Sequence, residues 1–231
     1  MHGRFSTLSH RLVMLLCLVI VGCSGALRWT PEYYVVRPGD TLYSIAFDYR
    51  IDQRDLITWN KLGDGSVILP GQKLKMTGPA GAGQRSGAVS ASAARRSASS
   101  AGSSQPKPVA AWQWPTDGTV VAAYGATAKT QSGIQIAGRW GQAVRAAAGG
   151  VVVYSGSGLV SYGQLLIIKH NEDYLSAYGH NDSLIVAEGD RVEIGQRIAR
   201  MGNGPHQRPL LHFEIRRYGQ PVNPVKYLPR R

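Results

Sequence analysis

The stretch from Thr77 to Ala111 constrains this chain most. It is built of Ala, Ser and Gly, with Arg85, Arg95, Arg96 and Lys107 scattered through it and almost no large apolar side chain. Such a segment cannot bury enough surface to offset the entropy of ordering it. It therefore reads as a disordered linker that divides the 231 residues into two small folding units rather than one large domain. As a coil it has a root-mean-square reach of roughly 30 to 35 Å and a stretched length of about 115 Å. Its basic residues are read as solvated charges; contact with an anionic polymer is the alternative.

The chain begins with a basic stretch (Arg4, His10, Arg11), followed by an apolar run from Leu12 to Val21 and then Gly22-Cys23. That run falls short of the about 20 apolar residues a spanning helix needs, so residues 1–22 read as a signal peptide. Ile20-Val21-Gly22-Cys23 resembles a bacterial lipobox, in which the cysteine is lipidated and becomes the new N-terminus. Of the two cysteines, Cys17 would leave with the signal, and Cys23 would be the single thiol of the mature chain. An ordinary signal peptide with an incidental cysteine is the other reading. Ser24 follows the cysteine where Asp would be the usual inner-membrane retention signal, so the resemblance implies an outer-membrane lipid anchor facing the periplasm, with residues 23–32 as its tether. The formal charge of +12 attracts anionic partners. For an exported chain these are wall polymers and lipid headgroups, not nucleic acid.

Residues 33–76 carry the pattern strand, helix, helix, strand. Tyr34-Val35-Val36 is a β-branched run ended by the turn Arg37-Pro38-Gly39-Asp40. Leu42, Ile45, Ala46 and Tyr49 recur at helical spacing behind a cap at Asp40 or Thr41, and Asp52 caps a second helix carrying Leu56 and Ile57. Val67-Ile68-Leu69, the turn Pro70-Gly71 and Leu74 close the module. The run from Tyr34 to Ala46, with Asn60 and Leu69-Pro70-Gly71-Gln72-Lys73-Leu74, resembles a LysM domain, a small α+β module that binds the N-acetylglucosamine units of peptidoglycan or chitin. The resemblance implicates Gly39, Asp40, Thr41, Leu42, Ile68 and Leu69 in glycan contact. Turn and cap chemistry alone would select the same residue types.

From residue 112 to 231, short β-patterned runs alternate with Gly-containing turns: 120–124, 150–155, 165–170, 174–178, 196–201 and 210–216. This spacing predicts an all-β sandwich or barrel with no helix of consequence. The residues Ser132-Gly133-Ile134, Gly149 to Gly156, Tyr162-Gly163, Tyr178-Gly179-His180-Asn181, Met201-Gly202, His212-Phe213-Glu214 and Val222-Asn223-Pro224 resemble the lysostaphin/LytM group of zinc metallopeptidases. In that group a His-x-Gly-x-Asp motif and a His-x-His motif hold zinc and serve its water. Three protein ligands leave a fourth zinc position open for a water whose pKa falls far enough to attack an amide. Here the first motif lies over Gln131-Ser132-Gly133-Ile134-Gln135 and the second over Leu210-Leu211-His212, so two of the three expected ligands are missing. An amide oxygen is a weak zinc donor. Of the family's site residues, His180 and His212 remain. A replacement zinc site from His180, His212 and Glu214 is disfavoured by Arg216, which shares their strand face and would repel a dication.

No cofactor, metal or catalytic residue is therefore expected. The groove of Gln131, Gln135, His180, Leu210, His212, Glu214 and Arg216 suits an apolar and acidic peptide segment better than a hydrolytic water. The segment from Lys169 to Asp182 and the ending Val222 to Pro229 resemble the NlpD/EnvC group of murein hydrolase activators. That resemblance implies an outer-membrane lipoprotein that grips peptidoglycan and activates a periplasmic N-acetylmuramoyl-L-alanine amidase during cell separation. Gln135 departs from an Asp that some activators keep. A residual zinc endopeptidase and a passive tether between membrane and wall are the alternatives.

Overall fold

The computed structural model describes residues 30–63, 67–78, 108–126 and 132–231. The expected signal peptide, the expected lipidation site Cys23, most of the expected linker and Gln131 lie outside the described residues. In the first module β1 (Tyr33–Val35) pairs antiparallel with β2 (Lys73–Lys75), and two helices, α1 (Leu42–Tyr49) and α2 (Gln53–Asn60), lie between them in sequence. Thr41, not Asp40, caps α1. Its hydroxyl accepts from Ser44 N (3.0 Å) while Ser44 Oγ accepts from Thr41 N (2.9 Å), a reciprocal cap that satisfies two otherwise orphaned donors. Both helices end on left-handed residues, Arg50 and Lys61. Asp52 caps α2 by accepting from Arg54 N at 2.9 Å, as its position predicted. Asn60 explains its presence in the motif: its side chain donates to Lys75 O and accepts from Lys75 N, stapling α2 to β2. Leu42, Ile45, Ala46, Leu56 and Leu74 form the module's small core.

The second module is mostly β. Its strands are β3 (Val120–Ala122), β4 (Ile134–Ala137), β5 (Ala143–Arg145), β6 (Gly150–Gly156), β7 (Gln164–Lys169), β8 (Tyr174–Leu184), β9 (Arg191–Val192), β10 (Arg197–Met201), β11 (Leu210–Arg217) and β12 (Gln220–Val222). They form one antiparallel sheet in the order β3-β4-β11-β8-β7-β6-β9, with β12 beside β11 and β10 joining β5 to β8. Helix is limited, among the described residues, to three single turns. Three short strands, β5, β9 and β12, and the four-residue β4 gave no run long enough to register as strands in the sequence. The sequence also stopped β8 at Tyr178, whereas the strand continues through Gly179 and His180 to Leu184.

The two faces of the sheet differ. Leu211, Phe213 and Ile215 of β11 point with Leu166, Ile168 and Tyr178 into the main core. The alternate residues of the same strands point the other way, since side chains alternate along a strand. Leu165, Ile167 and Ala177 lie on that second face, as do Glu214 opposite Ala177 and Arg216 opposite Leu175. The described residues from Pro31 to Arg231 belong to one compact unit, and this second face is where α1 of the first module lies.

Candidate functional site

β11 builds the floor of the site because it is held between β4 and β8. His212 stands opposite Gln135 on one side and Gly179 on the other, and Gly179, lacking a side chain, leaves room for the His212 ring. A Cβ on Gly179 would come within 3.6 Å of His212 Cβ and 3.1 Å of Tyr162 O. The His180 ring stands edge-on to that of His212 with centroids 6.0 Å apart, and Tyr162 flanks the same imidazole at 5.6 Å. His180 adopts a left-handed backbone conformation (φ 63°). For a residue with a Cβ that geometry is strained and is sustained only by its surroundings.

The open groove expected over these residues is closed in the structure. Glu214 and Arg216 are 0% and 1% exposed, and His212 and Leu210 are also buried. Glu214 is saturated: one oxygen lies 2.9 Å from His212 Nε2 and accepts from the Tyr162 hydroxyl at 3.1 Å, and the other accepts from Arg216 Nε at 2.8 Å. Burial alone would raise this carboxyl, but Arg216 and the bonded imidazole overcome that and hold it below its ordinary value. Burial, reinforced by Glu214, pushes the Tyr162 phenol up to about 12. Tyr162 was not among the predicted groove residues, although it belongs to the motif that carried the resemblance. Leu210 lies against Gly204, where an added Cβ would meet its Cδ1 at 2.6 Å. It is a packed side chain rather than a groove wall, so Leu210→Glu would unsettle the fold under any reading of function. Gln135 is half-buried, and among the described residues no three His, Cys, Asp or Glu side chains are placed to share a metal ion.

The predicted glycan residues of the first module divide by duty. Asp40 accepts from the Tyr34 hydroxyl and from Arg37 N, both at 2.7 Å, Thr41 caps α1, and Leu42 is core. Gly39 takes φ +85° in the turn with open space where a Cβ would stand, and Ile68 packs partly on the core. Leu69 is 64% exposed, an apolar side chain with no packing duty of that weight. Gly39 and Asp40 border a cleft of about 450 Å³ whose far wall is the segment Tyr154 to Leu159 with Glu188.

His170, just past the end of β7, is a structural tie. The neutral ring donates from Nδ1 to Gly149 O (2.8 Å) and accepts from the Ser176 hydroxyl at Nε2 (2.8 Å), under the edge of Trp112. Burial pushes it down to about 4. Its folded pKa lies below its unfolded one, so the unfolded chain binds more protons between about pH 6.5 and 4, and stability falls as pH drops through that window. A His170→Gln variant should show an acid-side loss smaller by about 2 kcal/mol. Urea unfolding at pH 7 and pH 4.5 measures it.

Residues 34–77 match the LysM domain family, and residues 129–224 match Peptidase family M23. The sheet also resembles a zinc-containing peptidase from Vibrio cholerae, at 28% identity over 52% of this chain and 41% of that one, with a TM-score of 0.46. The murein hydrolase activator NlpD of Escherichia coli (strain K12) is 52% identical over 124 residues, which is 54% of this chain but 33% of that protein. The uncharacterized lipoprotein YgeR of the same organism is 36% identical over 240 residues, covering 98% of this chain and 96% of its own. A lipoprotein NlpD/LppB homolog of Pseudomonas aeruginosa is 42% identical over 241 residues, covering 90% of this chain and 81% of that one. At that identity and coverage, the chain belongs to the NlpD/LppB lipoprotein family.

Proposed function

We propose that this protein is a non-catalytic activator of peptidoglycan cleavage. In this reading it is anchored by Cys23 in the outer membrane, holds peptidoglycan through residues 33–76, and engages a periplasmic N-acetylmuramoyl-L-alanine amidase through the β11 face of residues 112–231 during cell separation. The observation that carries the reading is the chemistry at the centre of that face. By the resemblance to the peptidases, Gln135 and Leu210 take the places of an aspartate and a histidine; in the structure Glu214 is committed to Arg216, His212 and Tyr162. Carboxylate oxygens already engaged by a guanidinium make poor partners for a dication, and a neutral amide is a weak ligand. A sheet face that keeps the peptidase architecture without hydrolytic chemistry is suited to binding a polypeptide.

The test mixes the purified protein with periplasmic amidases and dye-labelled peptidoglycan. Dye release should rise only when protein and a cognate amidase are both present; release by the protein alone, or no gain with any amidase, would sink the proposal. On the glycan side, Leu69→Asp leaves the core untouched and should weaken co-sedimentation with peptidoglycan about tenfold, equivalent to about 1.4 kcal/mol. Unaltered sedimentation would remove Leu69 from the glycan surface.

A further inference from the structure

Strands β5 and β10 gather arginines on one outward face. In their antiparallel register Arg145 stands directly opposite Arg197, and Arg200 stands opposite Ala143 on one side and Ser183 of β8 on the other. Arg200 follows Arg197 at an odd interval, which would send the two to opposite faces of a regular strand. The register shift between Arg197 and Ala199 prevents this: Ile198 and Ala199 both stay buried, and Arg200 returns to the outer face beside Arg197. At the end of β10 the row meets a fixed turn. Gln142 N donates to Arg139 O at 3.0 Å, and Gly141, at φ +77°, donates from N to Met201 O at 2.7 Å. This turn holds Trp140 out at 63% exposure, the one exposed tryptophan among the described residues. Arg208 lies in the adjoining loop, where Pro209 O accepts from Gly138 N.

Arg139, Arg145, Arg197, Arg200 and Arg208 are all exposed, and none forms an ion pair among the described residues. Like charges directly opposite on paired strands are destabilising. Arg145 and Arg197 keep that arrangement, with one Arg145 nitrogen fixed by donation to Gly195 O at 3.0 Å. Glu193, in the turn before β10, and Asp117, whose carbonyl accepts from Gln142 Nε2, are outnumbered by the row and pair with no member of it. The guanidinium fork matches phosphate better than an ammonium does, and tryptophan beside cations is the side-chain chemistry of a membrane–water interface.

We propose that the outer face of β5 and β10 rests on anionic lipid headgroups, with the arginines on the phosphates and Trp140 entering the headgroup layer. An acyl anchor on Cys23 brings such a surface within reach, since the eight residues to Pro31 span about 28 Å when stretched. Headgroup charge also relieves the repulsion between Arg145 and Arg197. The face shares no residue with the β11 site, so the second module can lie on the membrane with that site uncommitted.

The test uses the chain without residues 1–22 and with Cys23→Ser, so that both modules and the linker are present and no acyl group holds it. It should co-sediment with vesicles of equal parts phosphatidylglycerol and phosphatidylcholine but not with phosphatidylcholine alone, less so as salt rises. Arg197→Gln with Arg200→Gln should weaken that partition about 25-fold, at about fivefold for each arginine near an anionic surface. Its urea midpoint and its amidase-dependent dye release without vesicles should stay at the native level. Tryptophan emission should shift to the blue on the anionic vesicles, and Trp140→Phe should remove most of that shift. Equal sedimentation of the native chain with both kinds of vesicle, or of native and double variant with the anionic kind, overturns the proposal. So does a double variant that keeps its vesicle binding but loses sedimentation with peptidoglycan, which gives the row to the carboxylates of the wall, or loses dye release, which gives it to the hydrolase.

Discussion

A Glu214→Leu variant is expected to lose about 3–5 kcal/mol of stability, because it leaves the Arg216 guanidinium buried and uncompensated. The cost comes from the charge left behind more than from the bond removed. Adding Arg216→Met should therefore recover most of it, since a buried ion pair replaced by well-packed apolar side chains is often neutral or better. Urea midpoints of the two single variants and the double variant check this. Losses that simply add would mean that the two groups do not depend on each other as their 2.8 Å contact implies. Glu214 also links this network to pH. Its carboxyl is held below its ordinary value, so its contribution is present above the unfolded pKa and fades as pH falls through the folded one, in the same direction as His170.

The second large effect lies one residue away on the opposite face of β11. Phe213 is wholly buried and tilted against Tyr178 with ring centroids 5.4 Å apart. Phe213→Ala should cost about 3–5 kcal/mol through lost burial and the cavity left behind. It differs from Glu214→Leu in what restores stability: Arg216→Met should give no relief, because Phe213 faces the main core and not the guanidinium. Thermal unfolding of Phe213→Ala with and without Arg216→Met separates the two faces of one strand. A rescue of Phe213→Ala would show them coupled through the sheet.

These neighbours show what the sequence made legible. The alternation along residues 210–216 sorted Leu211, Phe213 and Ile215 from His212, Glu214 and Arg216, because a period of two needs no tertiary information. The caps of the first module were legible to within one residue, Asp52 outright and Thr41 as one of two candidates with Asp40, since a cap acts on amides two or three residues away. Strands of two to four residues left too short a pattern, as at β5 and β9. At the site, the pattern showed which residues share a face but not whether that face is open. Glu214 and Arg216 appeared as groove lining, yet they are buried because a helix more than 160 residues earlier in the chain ends upon them. The sequence does carry one sign of this burial: Phe47 is a large aromatic side chain off the apolar stripe of its own helix, the mark of a second buried contact.

Whether the second module regulates cleavage or performs it is read most directly from the chemistry of the products. Peptidoglycan digested with the protein, with a cognate amidase and with both can be separated by mass spectrometry. A regulator leaves the material intact when added alone, even with zinc, and in the mixture gives a strong increase in peptide-free glycan strands, the products of an amidase cutting at the N-acetylmuramoyl-L-alanine bond. Cleaved peptide cross-links in the digest with protein alone would contradict it.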